Sequence, residues 1–120
     1  MGPGRGVIPV VDVQEAHRRL SATDAPLLVD VRERDEFVAL RVPGAVLLPT
    51  SQFAIGYRQL PTERPLLIMC AVGGRSGRVT EALLGAGWTD VTNVGGGINA
   101  WYAAGLPTRS GPPDAGEGEL

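Results

Sequence analysis

The stretch Leu66-Leu67-Ile68-Met69-Cys70-Ala71-Val72-Gly73-Gly74-Arg75-Ser76-Gly77-Arg78 decides how this chain folds. Its first four residues are apolar without alternation, the pattern of a strand buried on both faces. The run delivers Cys70 straight into a short glycine-containing loop, and a helix is expected to start near Ser76. Strand, loop and helix in that order are the repeating unit of a parallel sheet. The thiol then lies at the carboxyl edge of the sheet, where open α/β folds place their ligands.

Further apolar runs surround this one at Val10-Val11, Leu27 to Val31, Val46 to Leu48 and Val91 to Val94. Amphipathic stretches separate them. Val13 to Leu20 follows Asp12, which is spaced from Glu15 as a variant capping box. Glu33 to Leu40 puts Phe37 and Leu40 on one face, and Ser51 to Leu60 is a weaker helix interrupted by Gly56. Ser76 to Ala86 and Ile98 to Ala104 complete the set. Alternating strands and helices predict a small parallel β-sheet flanked by helices on both faces, an α/β fold. Residues 7–106 are expected to form the domain, with 1–6 as a flexible N-terminus. Residues 107–120, rich in Pro, Gly and acid, are read as a disordered tail whose removal changes little.

At 120 residues there is room for one core. Eleven arginines face thirteen acids, and there is no lysine. That balance gives no basic footprint for nucleic acid and no polybasic patch for a membrane surface. No apolar run approaches the roughly 18 residues of a membrane span. The opening residues do not read as a signal peptide. One cysteine and one histidine cannot build a cysteine-rich metal site, so no metal or cofactor is expected. A reducing cytoplasm is the default compartment for a free thiol.

A lone cysteine after an apolar strand is often a small buried hydrophobe. Gly-Gly-Arg-Ser ahead of a helix argues for chemistry. Gly73 and Gly74 can turn successive N–H groups inward as an anion nest, and a helix N-terminus adds its own unpaired donors. With Arg75 close by, these groups favour thiolate over thiol, as a nucleophilic cysteine requires.

The segment Cys70-x-x-Gly73-x-Arg75-Ser76 resembles the active-site loop of single-domain rhodaneses, a family of sulfurtransferases. Asp30-Val31-Arg32-Glu33, Val42-Pro43-Gly44-Ala45 and Gly96-Gly97-Ile98-Asn99-Ala100-Trp101 are similar to three further family motifs, in family order. The resemblance covers residues 8–106. It implies Cys70 as the catalytic residue and Ala71, Val72, Gly73, Gly74, Arg75 and Ser76 as the substrate-binding loop. In that mechanism Cys70 takes a sulfane sulfur from a donor such as thiosulfate. The sulfur is carried as a persulfide and handed to cyanide, a thiol or a sulfur-relay protein. Asp30 and Arg32 are expected to form structural ion pairs.

The sequence departs from the family at Leu40-Arg41, where Gly-His is usual; packing or the rim of the site should change more than the chemistry. Ala71 and Val72 are small and apolar where some relatives carry basic or aromatic residues. Two other classes compete with this reading. A rhodanese-fold cysteine phosphatase or arsenate reductase needs one residue more between Cys and Arg than the four present here. Non-catalytic partner-binding modules of this fold often lack the cysteine, whereas Cys70 is present within an intact loop. His17 reads as a solvated helical side chain, not a partner of Cys70. Gly95-x-Gly97-x-x-Ala100 reads as a turn, since too little chain follows to complete a dinucleotide site.

Overall fold

The computed structural model describes residues 7–120; the flexible-terminus expectation for residues 1–6 lies outside them. Five parallel strands form one sheet: β1 (Val10–Val11), β2 (Leu27–Asp30), β3 (Val46–Leu47), β4 (Leu66–Met69) and β5 (Val91–Val94). Their spatial order is β1-β5-β4-β2-β3, which puts the apolar run before Cys70 at the centre. All four residues of β4 are buried. Alternation along the strand sorts them between two layers. Leu67 and Met69 join Leu28, Phe37, Val94, Ile98 and Trp101 on one side. Leu66, Ile68 and Cys70 join Val29, Val31, Val79 and Leu83 on the other.

Five helices cover these faces. On the first side lie α1 (Val13–Leu20), α2 (Arg34–Ala39) and, closing the described secondary structure, α5 (Gly97–Ala103). Between α2 and α5 in sequence come α3 (Phe53–Gly56) and α4 (Gly74–Gly85), which pack on the second side. Asp12 caps α1 as its spacing predicts, accepting the Glu15 N–H at 2.8 Å. The weak stretch 51–60 is α3 with a 3-10 turn at each end, Thr50–Gln52 and Tyr57–Gln59.

Two expectations need correcting. Helix α4 begins at Gly74, earlier than the reading from Ser76. Gly73 alone takes a left-handed φ of +111°, and that one turn aims the chain into the helix. The larger correction concerns residues 107–120, which pack on the domain. Arg41, the departure from the family pattern, is fully buried. Its Nε donates to Glu117 Oε2 at 2.6 Å, its Nη2 to Glu117 Oε1 at 3.1 Å and its Nη1 to the Gly111 carbonyl at 2.7 Å. Arg41 and Arg109 exchange two backbone hydrogen bonds of 2.8 Å each, and the Leu47 N–H donates to the Gly118 carbonyl at 2.7 Å. Judged by apolar content, the segment has little to bury. A buried guanidinium, however, requires acceptors for its five N–H groups, and this segment supplies acceptors for three of them, with the Phe37 and Val38 carbonyls also facing Nη1.

Candidate active site

Cys70 directly follows β4 and is 1% exposed. Its Sγ accepts the Gly73 N–H at 3.1 Å and the Ser76 hydroxyl at 3.2 Å. Ser76 is itself fully buried, so its hydroxyl is fixed beneath the sulfur. Burial pushes the Cys70 thiol up. The Ser76 hydroxyl and the backbone N–H groups of Ser76, Gly73 and Val72 pull it down further, and the net direction is down. The arrangement favours a thiolate in a site with almost no access to water.

The loop is held from below and from one side. Below, α5 presents its first N–H groups to the carbonyls that face away from the sulfur. Ile98 N–H donates to the Cys70 carbonyl at 2.9 Å, and Asn99 N–H to that of Ala71 at 3.1 Å. A Cβ at Gly97 would sit 2.3 Å from the Cys70 oxygen, so only glycine allows this approach. Asn93 Nδ2 ties down the Gly73 carbonyl at 3.2 Å. From the side, Arg75 makes a bidentate pair with Glu36, with distances of 2.8 and 2.9 Å. Arg75 holds the Glu36 carboxyl down at about 2, against the effect of burial. Glu36 in turn, and the nearby Cys70 sulfur to a smaller extent, strengthen the hold of Arg75 on its proton.

Helix α2, which carries Glu36, is fixed by the buried pair of Asp30 and Arg32. Arg32 meets Asp30 Oδ2 at 2.7 Å through Nη2. The same side chain donates to the carbonyls of Glu36 at 3.2 Å and Leu40 at 2.6 Å, satisfying the end of the helix. A chain of charged contacts thus runs from β2 through α2 to the cysteine loop.

Each loop residue singled out from the sequence has a distinct place. Gly73 and Ser76 touch the sulfur. Gly74 and Arg75 form the first turn of α4, and Val72 stands 65% exposed on the outer side of the loop. Ala71 uses its carbonyl to dock on α5. His17 packs edge-on to Trp101 at 5.5 Å, in the layer opposite Cys70, half-buried instead of fully solvated. It cannot serve the thiol as a base. Glu36, Asn93 and the N–H groups of Ile98 and Asn99 were not foreseen as supports for the site. The Gly96-Gly97 pair is a sequence signal for the Ile98 and Asn99 N–H groups alone.

The family pattern of the rhodanese-like domain matches residues 12–104. This chain belongs to the rhodanese-like family. A sulfurtransferase of Allochromatium vinosum is 35% identical over 97 residues, covering 81% of this chain and 91% of its own. An adenylyltransferase and sulfurtransferase of Meyerozyma guilliermondii is 34% identical over 85 residues, covering 64% of this chain but only 20% of its own. Among solved structures, a rhodanese-related protein of Thermoplasma volcanium superposes with a TM-score of 0.78 at 24% identity. It covers 84% of this chain and 97% of its own, a likeness of fold. No helix among the described residues of this rhodanese-like chain is long and apolar enough to cross a membrane.

Proposed function

We propose that this rhodanese-like protein is a sulfurtransferase that carries sulfane sulfur on Cys70. The reading rests on one observation above all: the Gly73 N–H and Ser76 hydroxyl converge on Cys70 Sγ inside a loop closed by a guanidinium already bound to Glu36. In the first step the Cys70 thiolate attacks the outer sulfur of a donor such as thiosulfate. The new S–S bond forms as the donor's S–S bond breaks, and sulfite leaves with the electron pair. The persulfide's terminal sulfur carries the negative charge, and the N–H groups of the loop residues 71–76 stabilise it. In the second step cyanide or a thiolate takes that sulfur, and the electron pair returns to Cys70 Sγ. No side-chain base is assigned to this step: the loop donors lower the Cys70 thiol and so favour the attacking thiolate.

The same persulfide suits a relay in which a protein is donor or acceptor. A reducing compartment such as the cytoplasm would keep the single thiol available. The phosphatase reading is weaker. That class has five residues between its cysteine and arginine, whereas four separate Cys70 from Arg75, which here is paired with Glu36.

Intact-mass measurement tests the proposal. Incubation with thiosulfate or inorganic polysulfide adds the mass of one sulfur; cyanide removes it and releases thiocyanate. Cys70→Ser does neither. A folded protein that stays unmodified by both donors, yet cleaves an aryl phosphate, overturns the reading.

A further inference from the structure

Beside the cysteine loop lies a pocket of about 290 Å³ lined by Thr50, Phe53, Arg75, Arg78, Val79 and Ala82. Arg75 belongs to both the pocket and the loop, and Val79 packs in the same apolar layer as Cys70. Phe53, Val79 and Ala82 make one wall apolar. The polar groups opposite are mostly committed: Arg75 to Glu36, and the Thr50 hydroxyl to Glu33 at 3.4 Å. Arg78 is the exception. Among the described residues it forms neither an ion pair nor a side-chain hydrogen bond, a state it shares with Arg34 and Arg58, which lie outside this pocket. The pocket therefore combines apolar side chains with one uncommitted guanidinium, and shares Arg75 with the cysteine loop.

We infer that this pocket binds the sulfur acceptor, and that the acceptor is a small thiol with an apolar body and a carboxylate held by Arg78. The inference rests on the persulfide reading above and names its second substrate. Thiosulfate, polar throughout, has no use for a wall of Phe53, Val79 and Ala82. A carboxylate matches the planar fork of an arginine in a way a point anion does not. In the transfer, the acceptor thiol first loses its proton to solvent. Its thiolate then bonds to the terminal sulfur of the Cys70 persulfide while the bond to Sγ breaks. The electron pair returns to Sγ, and the acceptor leaves as a persulfide anion.

The test uses the full chain, loaded with thiosulfate, and two acceptors of equal shape: para-(mercaptomethyl)benzoate and para-(mercaptomethyl)benzamide. An exposed ion pair contributes up to about 1 kcal/mol, roughly fivefold in affinity. The acid should accordingly show a KM about fivefold below the amide, with similar kcat. Arg78→Gln should raise the KM of the acid to that of the amide and leave the amide unchanged, whereas a merely structural role would shift both. Equal KM values in the wild type, or a parallel change in the variant, overturn the inference.

A second measurement does not depend on sulfur transfer. Para-toluate should slow iodoacetamide alkylation of Cys70 in the wild type more than para-toluamide does, and the difference should vanish in Arg78→Gln. If Cys70 loads sulfur and neither measurement separates acid from amide, the inference fails and the persulfide reading stands. If toluate protects but Cys70 never loads, the persulfide reading fails and the acceptor role falls with it.

Discussion

Two arginine–glutamate pairs in this molecule have nearly the same bidentate geometry and opposite settings. Arg75 and Glu36 meet at the rim of the cysteine loop, each with a third of its side chain exposed. Arg41 and Glu117 meet inside, where the arginine has no exposed surface and the glutamate retains 12%. Water and salt screen the first pair, so its contribution to folding is small, about 1 kcal/mol at most. Its value is positional: it fixes the loop whose N–H groups face Cys70. The second pair lies where an unpartnered charge is costly, and it fastens residues 107–120 to the domain. Similar chemistry thus sets a reaction geometry in one place and holds the chain together in the other.

The sharpest test separates rate from stability. Arg75→Ala should lower kcat/KM for sulfur transfer roughly a hundredfold, in the range typical of losing a preorganised group. Its Tm should move by only a few degrees. Steady-state kinetics beside a thermal melt check both. A fall in Tm as large as that of Arg41→Ala would erase the distinction between the pairs.

Arg41→Ala, and deletion of residues 107–120, should show the converse. Each is expected to lower Tm on the order of 10 °C, because one partner of a buried pair is lost. An unchanged Tm in the truncated chain would show that the segment's hydrogen bonds contribute nothing net. The pair also has a pH signature. Arg41 holds the Glu117 carboxyl down at about 2, from an ordinary value of 4.5. A carboxyl depressed by folding stabilises above its unfolded value, and the stabilisation is lost as pH falls through the folded one. The Tm difference between wild type and Glu117→Gln should therefore be full above pH 4.5 and shrink as the pH is lowered toward 2.

The smallest effect belongs to Ser76. Its hydroxyl pulls the Cys70 thiol down, so Ser76→Ala should move the pH midpoint of Cys70 alkylation upward. Alkylation at neutral pH should slow a few-fold, read from the rate against pH. A midpoint that stays in place would mean that the backbone N–H groups alone hold the thiolate.

What could be read from the residues, and what could not, divides along sequence distance. The apolar run 66–69 and the cap at Asp12 are local patterns, and each occurs where the sequence places it. The start of α4 was missed by two residues because one glycine, not the pair, makes the turn. Glu36 lies 39 positions from Arg75, and Glu117 lies 76 from Arg41. With thirteen acids and eleven arginines, no spacing rule says which will meet. Arg41 did stand out as a departure from the family. Its consequence needed three dimensions, because a buried guanidinium reveals its partner only once the surrounding strands are placed.

The hydrogen bond from Leu47 to the Gly118 carbonyl has an effect beyond anchoring. Strand β3 is an outer strand of the sheet, and only two residues long. Outer strands offer unpaired donors to any extended peptide that drifts past, the usual first contact in edge-to-edge aggregation. In this molecule part of that invitation has been answered from within the same chain. Removing the segment would therefore raise a problem of solubility separate from the lost stability, because Leu47 would be free to recruit a strand from a neighbour.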